Sequence, residues 1–160
     1  MSILGLNRAE FHALTNQILS EGHKLRFRAS GDSMQPFIHD GDILEVSPAS
    51  GQVVHCGDVL LVDIDDGRLL VHRVIKTRQV ESQFSYLIQG DNCSSMDGWF
   101  QAKDILGRVV QVRRGNREID LTSLPQRYKA RVWVTIKPFA PYFYWLPGSF
   151  RQFIRNWLSV

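Results

Sequence analysis

Residues 57–76 of the chain read GDVLLVDIDDGRLLVHRVIK, two apolar runs separated by a short polar turn. The runs are rich in Val, Leu and Ile, and the β-branched Val and Ile favour strands. The turn, Asp65-Asp66-Gly67, contains the Asp-Gly pair that favours a tight β-hairpin. This stretch therefore predicts two antiparallel strands, over residues 58–64 and 68–76.

The sequence on both sides of this hairpin continues the β pattern. Leu25, Phe27 and Ala29 alternate with basic residues, which is typical of a half-buried strand. Further strands are predicted at residues 42–46, 84–88, 105–113 and, after a Gly115-Asn116 turn, 117–121. Because strands do not alternate with helices, a parallel doubly wound sheet does not fit this chain. We predict a mainly β domain, built as a coiled antiparallel sheet or a barrel-like sheet.

One helix is predicted before the strands. Asn7 and Glu10 have the spacing of a capping box, in which each side chain bonds the other residue's backbone amide. Apolar residues then follow at helical spacing, and Gly22 stands where a helix would end. We therefore predict a short N-terminal helix over residues 8–21.

The composition is that of a packed domain with an unusual C-terminus. The chain has 160 residues, of which 44% are hydrophobic and 22% charged. Two cysteines are too few for a disulfide framework or a four-thiolate zinc site, and they fit a reducing compartment. Residues 127–160 contain six basic side chains, ten of the 17 aromatic side chains and no acid. Residues 1–126 contain the other 13 basic residues and all 16 acids. We predict a domain over 1–126 and a helical, basic and aromatic extension over 127–160.

Two roles are open for this extension. Its aromatic side chains could pack against the domain and complete the core. Alternatively, a helix from Ser149, with Phe150, Phe153 and Trp157 on one face, could lie on an anionic membrane surface. No secretion signal and no apolar span of about 20 residues is seen, so we expect a cytoplasmic protein, peripherally attached to the inner face of the membrane in the second case. No nucleic-acid partner is expected, because the net positive charge comes from the extension, whereas residues 1–126 carry more acids than bases.

A polar turn with a candidate nucleophile follows the first predicted strand. Residues 30–36 read SGDSMQP, so Ser33 stands where the strand ends. The backbone amides of Gly31, Asp32 and Ser33 could stabilise a developing oxyanion in this turn. However, a serine in a turn rich in Gly, Asp and Pro is more often a plain turn residue. The segment alone leaves both interpretations open.

A histidine and two carboxylates could supply the groups that activate a serine. A hydroxyl is a poor nucleophile until a base takes its proton, and the neutral imidazole of His72 could take it. Residues 89–97 read QGDNCSSMD and place Asp91 and Asp97 in a loop, where either could orient the imidazole. The plain alternatives are a core histidine and loop carboxylates. No ligand spacing favours a metal, and this chemistry requires no cofactor.

In this order, the segments resemble the sequence boxes of type I signal peptidases and LexA-like serine peptidases. The resemblance covers about residues 28–113 and implies a largely β catalytic domain with Ser33 as nucleophile. It is carried by Gly31-Asp32-Ser33-Met34-Gln35-Pro36, Gly41-Asp42, Gly57-Asp58-Val59-Leu60, His72-Arg73-Val74, Gly90-Asp91-Asn92 and Asp97.

The histidine distinguishes two branches of this superfamily. His72 stands where the bacterial signal peptidase and LexA branches have a lysine, so the chain is similar to the His-type signal peptidases. That resemblance implies that His72 is the base and Asp97 the acid of the site, with Asp91 as an alternative acid. Met34 and Pro36, which follow the serine, are assigned to the substrate pocket.

The resemblance implies a serine endopeptidase that cleaves a peptide or a precursor protein. Two other functions share the fold: a LexA-like regulator that cleaves itself, and a catalytically silent peptide-binding module. A LexA-like regulator needs a DNA-binding domain, and the one helix predicted before the first strand is too little for a helix-turn-helix. A silent module is disfavoured because the serine, the histidine and the acid are all present.

Overall fold

The computed structural model describes residues 7–64 and 67–139. Each element there owes its place to sheet pairing or to burial of one face. In chain order the elements are α1 (Arg8–Ser20), β1 (Leu25–Arg28), β2 (Ile43–Pro48), β3 (Val59–Ile64), β4 (Arg68–Val80), β5 (Gln83–Gln89), β6 (Gly98–Gln101), a 3-10 turn (Ala102–Asp104), β7 (Ile105–Arg114), β8 (Arg117–Asp120) and α2 (Leu124–Ile136).

The eight strands form one antiparallel sheet in the order β1-β2-β7-β3-β4-β5-β6, with β8 also paired to β7. One edge of β7 pairs with β2 over residues 107–113. The other edge pairs with β3 near its start and with β8 near its end. Because β1 and β6 stand at the two ends of this order, the sheet is not closed among the described residues. The predicted mainly β antiparallel fold is confirmed.

The stretch that begins with Gly57 forms the predicted hairpin. β3 and β4 pair in register, with Val59 opposite Arg73 and Ile64 opposite Arg68. The turn residues 65 and 66 lie outside the described residues. β4 is longer than predicted because β5 pairs with it as far as Val80.

Helix α1 confirms the predicted N-terminal helix, beginning at Arg8 and ending at Ser20, one residue before the predicted end. The Asn7 side chain accepts a hydrogen bond from the Glu10 amide at 2.9 Å, and the Glu10 carboxylate accepts one from the Asn7 amide at 2.8 Å. After the helix, Gly22 adopts a φ of +84°, a conformation that glycine tolerates without strain. Phe11 of the helix is buried edge-on against Phe27 of β1, so the helix packs against the sheet.

Buried apolar side chains cover both faces of the central strand β3. Val59 and Leu61 belong to one cluster, which also contains side chains from α1 and α2. Leu60 and Val62 belong to a second cluster, with side chains from β4, β5 and β7. Successive strand residues point to opposite faces, so β3 is buried on both faces over residues 59–62. This explains why residues 59–62 are all apolar.

The sequence does not predict β6. β6 has four residues at the sheet edge and, among the described residues, pairs only with β5, so its formation depends on that partner. The predicted helical character of the C-terminal part is confirmed by α2, which begins at Leu124. The predicted division between residues 126 and 127 falls inside α2, whose Trp133 packs against Phe37 in the first cluster. The helix predicted from Ser149 lies outside the described residues. Within residues 7–64 and 67–139, no helix combines the length and the apolar character that crossing a membrane requires.

Gly107 allows β7 to lie close to the residues of β2 with which it pairs. A Cβ atom at this position would lie against Val46 Cγ1 and 2.7 Å from the carbonyl oxygen of Ser47. We expect Gly107→Ala to lower the free energy of unfolding by about 1–3 kcal/mol, because the paired strand has to move. Urea denaturation measures the change. Arg113→Ala, at an exposed position of the same strand, is the control and should cost less than about 0.5 kcal/mol. Equal stabilities of the two variants would contradict the role of Gly107 in the close pairing of β7 with β2.

Candidate active site

Ser33 lies in a series of turns between β1 and β2. Gly31 starts the turn with a φ of +91°, and its amide donates to Asp40 Oδ1 at 2.8 Å. From the other side, the Asn92 amide donates to the Ser33 carbonyl oxygen at 2.7 Å. The serine backbone is therefore held both by its own turn and by the loop that follows β5.

Neighbouring strands supply the other two polar groups of the site. His72 lies on β4, opposite Leu60 of β3. Asp97 ends the loop after β5, and its amide donates to the Ile88 carbonyl oxygen at 3.0 Å. Because β4 and β5 are adjacent in the sheet, the imidazole and the carboxylate meet at one place, where the turn with Ser33 joins them.

Ser33, His72 and Asp97 form a hydrogen-bonded chain. Ser33 Oγ lies 3.0 Å from His72 Nε2, and His72 Nδ1 lies 2.6 Å from Asp97 Oδ2. The imidazole side chain is 5% exposed and the carboxylate 26%. An ionised carboxylate can only accept, so Nδ1 carries the proton and Nε2 is free to accept from the serine hydroxyl. This is the tautomer that a serine nucleophile requires.

Gly90 allows the loop after β5 to lie close to Ser33 and His72. A Cβ atom at this position would lie 2.8 Å from His72 Nε2, 2.8 Å from the Ser33 carbonyl oxygen and 2.7 Å from Cys93 Sγ. Any side chain here would therefore displace the serine, the histidine or the loop. In the sequence, Gly90 belongs to the Gly90-Asp91-Asn92 motif of the loop, and only the fold shows that it lies against both Ser33 and His72.

Asp91 has a different place from Asp97. Its carboxylate is fully buried and accepts two hydrogen bonds from Arg73, at 2.8 and 2.7 Å, and one from Trp133 Nε1 at 2.8 Å. The same guanidinium donates to the Gly57 carbonyl oxygen at 2.7 Å. The structure thus brings Asp97 to the imidazole, and it places Asp91 in a buried ion pair.

The remaining predicted site residues surround the serine in different ways. Met34 is buried with the first core cluster, and Pro36 is half-buried. The pocket roles of both stay predictions. The Gly31 amide is committed to a carboxylate, whereas the amides of Asp32 and Ser33 donate to no group among the described residues. The oxyanion role of both amides stays a prediction.

Metal-binding side chains are not grouped anywhere in the described ranges. Within residues 7–64 and 67–139, no three or more His, Cys, Asp and Glu side chains stand together as a metal site would require.

Comparison with known proteins identifies the family. A family model described as "Peptidase S24-like" matches residues 7–110, which include all three residues of the hydrogen-bonded chain. The chain belongs to the Peptidase S24-like family. It is also 28% identical, over 87 residues, to the signal peptidase complex catalytic subunit SEC11C of Homo sapiens, Mus musculus and Canis lupus familiaris. The aligned part covers 48% of this chain and 45% of each relative, so the chain spans less than half the length of these relatives. The resemblance to the signal peptidase and LexA-like superfamily is confirmed.

The two carboxylates should respond differently to the loss of their charge. We expect Asp91→Asn to lower the free energy of unfolding by about 3–5 kcal/mol, because Arg73 then remains buried without a counter-charge. Asp97→Asn should change it by less than about 1 kcal/mol, because its side chain is partly solvated. Denaturant unfolding of both variants at neutral pH gives the comparison. The roles assigned to the two residues would be wrong if the costs were reversed.

Proposed function

We propose that the protein is a serine endopeptidase of the signal-peptidase type, with Ser33 as nucleophile and His72 as general base. The observation that supports this most directly is the chain of hydrogen bonds from Ser33 Oγ through the imidazole to Asp97. Membership of the family does not by itself decide activity, since one fold hosts many functions. The proposal therefore depends on the geometry of these three side chains.

The geometry supports the following course of reaction. Ser33 Oγ attacks the carbonyl carbon of the scissile peptide bond while its proton passes to His72 Nε2. Asp97 accepts from Nδ1–H and stabilises the imidazolium that forms. The imidazolium then protonates the leaving amine. Water, activated by the same imidazole, hydrolyses the acyl-enzyme and releases the serine.

The backbone beside the nucleophile is suited to stabilise the oxyanion. The amide of Ser33, and that of Asp32 beside it, donate to no group within the described part of the chain. We assign the Ser33 amide to the negative oxygen of the tetrahedral intermediate, because amides aimed at developing charge lower the barrier. The Gly31 amide takes no part, since Asp40 already holds it.

The substrate class is proposed from the relatives. They are named as catalytic subunits of a signal peptidase complex, so we propose that this chain cleaves a signal-peptide-like segment of a peptide or precursor protein. An anionic membrane surface stays a proposed partner of residues 127–160. Trp133 of that extension is buried, so the surface would be met by exposed side chains such as Tyr128 and Phe139.

Removal of the nucleophile tests the proposal directly. We expect Ser33→Ala to abolish cleavage of a signal-peptide-like peptide and to leave the thermal midpoint nearly unchanged, because Ser33 Oγ bonds only to His72 in the described structure. Mass spectrometry of the peptide products, and labelling of the protein by a fluorophosphonate, measure the loss. Ser94→Ala, at an exposed serine of the neighbouring loop, is the control and should still cleave the peptide and react with the fluorophosphonate.

The same experiment separates the alternatives. Full hydrolysis by purified Ser33→Ala would reject the serine mechanism. A wild-type protein whose own intact mass falls with time would be a self-cleaving regulator. A wild-type protein that binds the peptide without cutting it or reacting with the fluorophosphonate would be a silent binding module.

The pH dependence tests the base. We expect kcat/KM to rise between about pH 5 and about pH 8, the range in which imidazoles lose their proton, because only the neutral ring can act as base. The His72→Lys variant should be inactive. A lysine becomes a base only when burial lowers its pKa by several units from about 10.4. Initial rates across this range provide the measurement. A flat profile for the wild type would argue against His72 in this role.

A further inference from the structure

Helix α2 lies outside the residues that the family model matches, yet it contacts the loop that carries the acid. Trp133 Nε1 donates to the Asp91 carboxylate, and Lys137, the C-cap of the helix, donates from Nζ to the Gly90 carbonyl oxygen. Residues four apart lie on the same side of a helix. One side of α2 therefore binds two consecutive residues of the loop.

Lys137 is half-buried among charged groups. Burial lowers the pKa of its ammonium group, and Arg73 acts in the same direction, whereas Asp91, Cys93 and Asp97 act to raise it. The side chain thus brings a cation close to both carboxylates of the site, although its hydrogen bond is to a backbone carbonyl. An exposed lysine on the surface of α2 would have neither the lowered pKa nor the closeness to these carboxylates.

The contact at Gly90 reaches the reactive pair directly. Gly90 has no room for a Cβ because Ser33 and His72 lie against it. The next residues continue the contact, since the Asn92 amide donates to the Ser33 carbonyl oxygen. A shift of the Gly90 carbonyl would therefore move the loop relative to both the nucleophile and the base.

We infer that Lys137 is a positioning residue, which binds the Gly90 carbonyl and so holds residues 90–97 in the arrangement that lets Asp97 reach the imidazole. The inference rests on the proposed peptidase function for its effect on rate. Trp133 holds the same loop, but it is also part of the core, so its removal would affect folding as well. Lys137 is the contact of α2 that can be removed on its own.

Replacement of Lys137 should affect the reaction more than substrate binding. We expect Lys137→Met to lower kcat about tenfold and to change KM less than about twofold, because a misplaced acid and base slow the chemical step. Lys137→Arg should recover most of the rate, since a guanidinium also donates and is always charged. Lys103→Met, at an exposed lysine of the 3-10 turn, is the control and should behave as wild type.

Alkaline pH gives a readout that a purely structural contact would not move. The ammonium, the stronger donor, is present below the lowered pKa of Lys137 and is lost as the pH rises through it. We therefore expect kcat of the wild type to fall on the alkaline side before that of Lys137→Arg does. Free thiols also lose their protons at alkaline pH. The pH profiles with Lys137 and with Lys137→Arg are therefore measured again in chains that carry Cys93→Ser. Identical alkaline limbs would overturn the inference.

Amide hydrogen exchange makes the test independent of catalysis. In Lys137→Met the amides of residues 90–97 should exchange at least about three times faster, while those of α1 keep their rates, because only the loop is released. Lys137→Arg and Lys103→Met should match the wild type. Exchange that is unchanged in Lys137→Met, together with unchanged kcat, would reject the positioning role. Faster exchange in a protein that never cleaves peptides would keep that role and reject the peptidase.

Discussion

The buried ion pair between Arg73 and Asp91 connects the parts of the molecule that the candidate site requires. Its two side chains are 3% and 0% exposed, so each charge would be costly without the other. Arg73 comes from β4, directly after His72, and Asp91 comes from the loop that ends at Asp97. The pair therefore attaches the strand that carries the imidazole to the loop that carries its carboxylate partner.

Neighbouring residues divide the structural and chemical roles. His72 and Arg73 are consecutive on a strand, so they point to opposite faces of the sheet, one toward Ser33 and the other toward Asp91. The two loop carboxylates are divided in the same way. Asp91, fully buried, holds the loop in place, and Asp97, partly solvated, reaches the imidazole.

Helix α2 adds a second layer of support from beyond the family-matched residues. Through Trp133 it completes both the core and the hydrogen bonds of Asp91, and through Lys137 it holds Gly90. The domain and the start of the predicted extension are therefore in contact at the place where the serine and histidine meet. This arrangement links the C-terminal part of the chain to the geometry of the site.

The sequence by itself determined the features whose causes are local. The capping box at Asn7, the alternation in the strands and the hairpin of β3 and β4 depend on residues close in the chain, so the helix and most strands could be predicted. The ordered motifs also pointed to Ser33, His72 and a loop acid. Only the tertiary structure placed Asp97 against the imidazole and Asp91 against Arg73, created β6 beside β5, and brought α2 onto the loop. Trp133 is 42 residues from Asp91, and Lys137 is 47 from Gly90. Contacts over such separations leave no periodic trace in the sequence, because they depend on how the sheet and the helices pack.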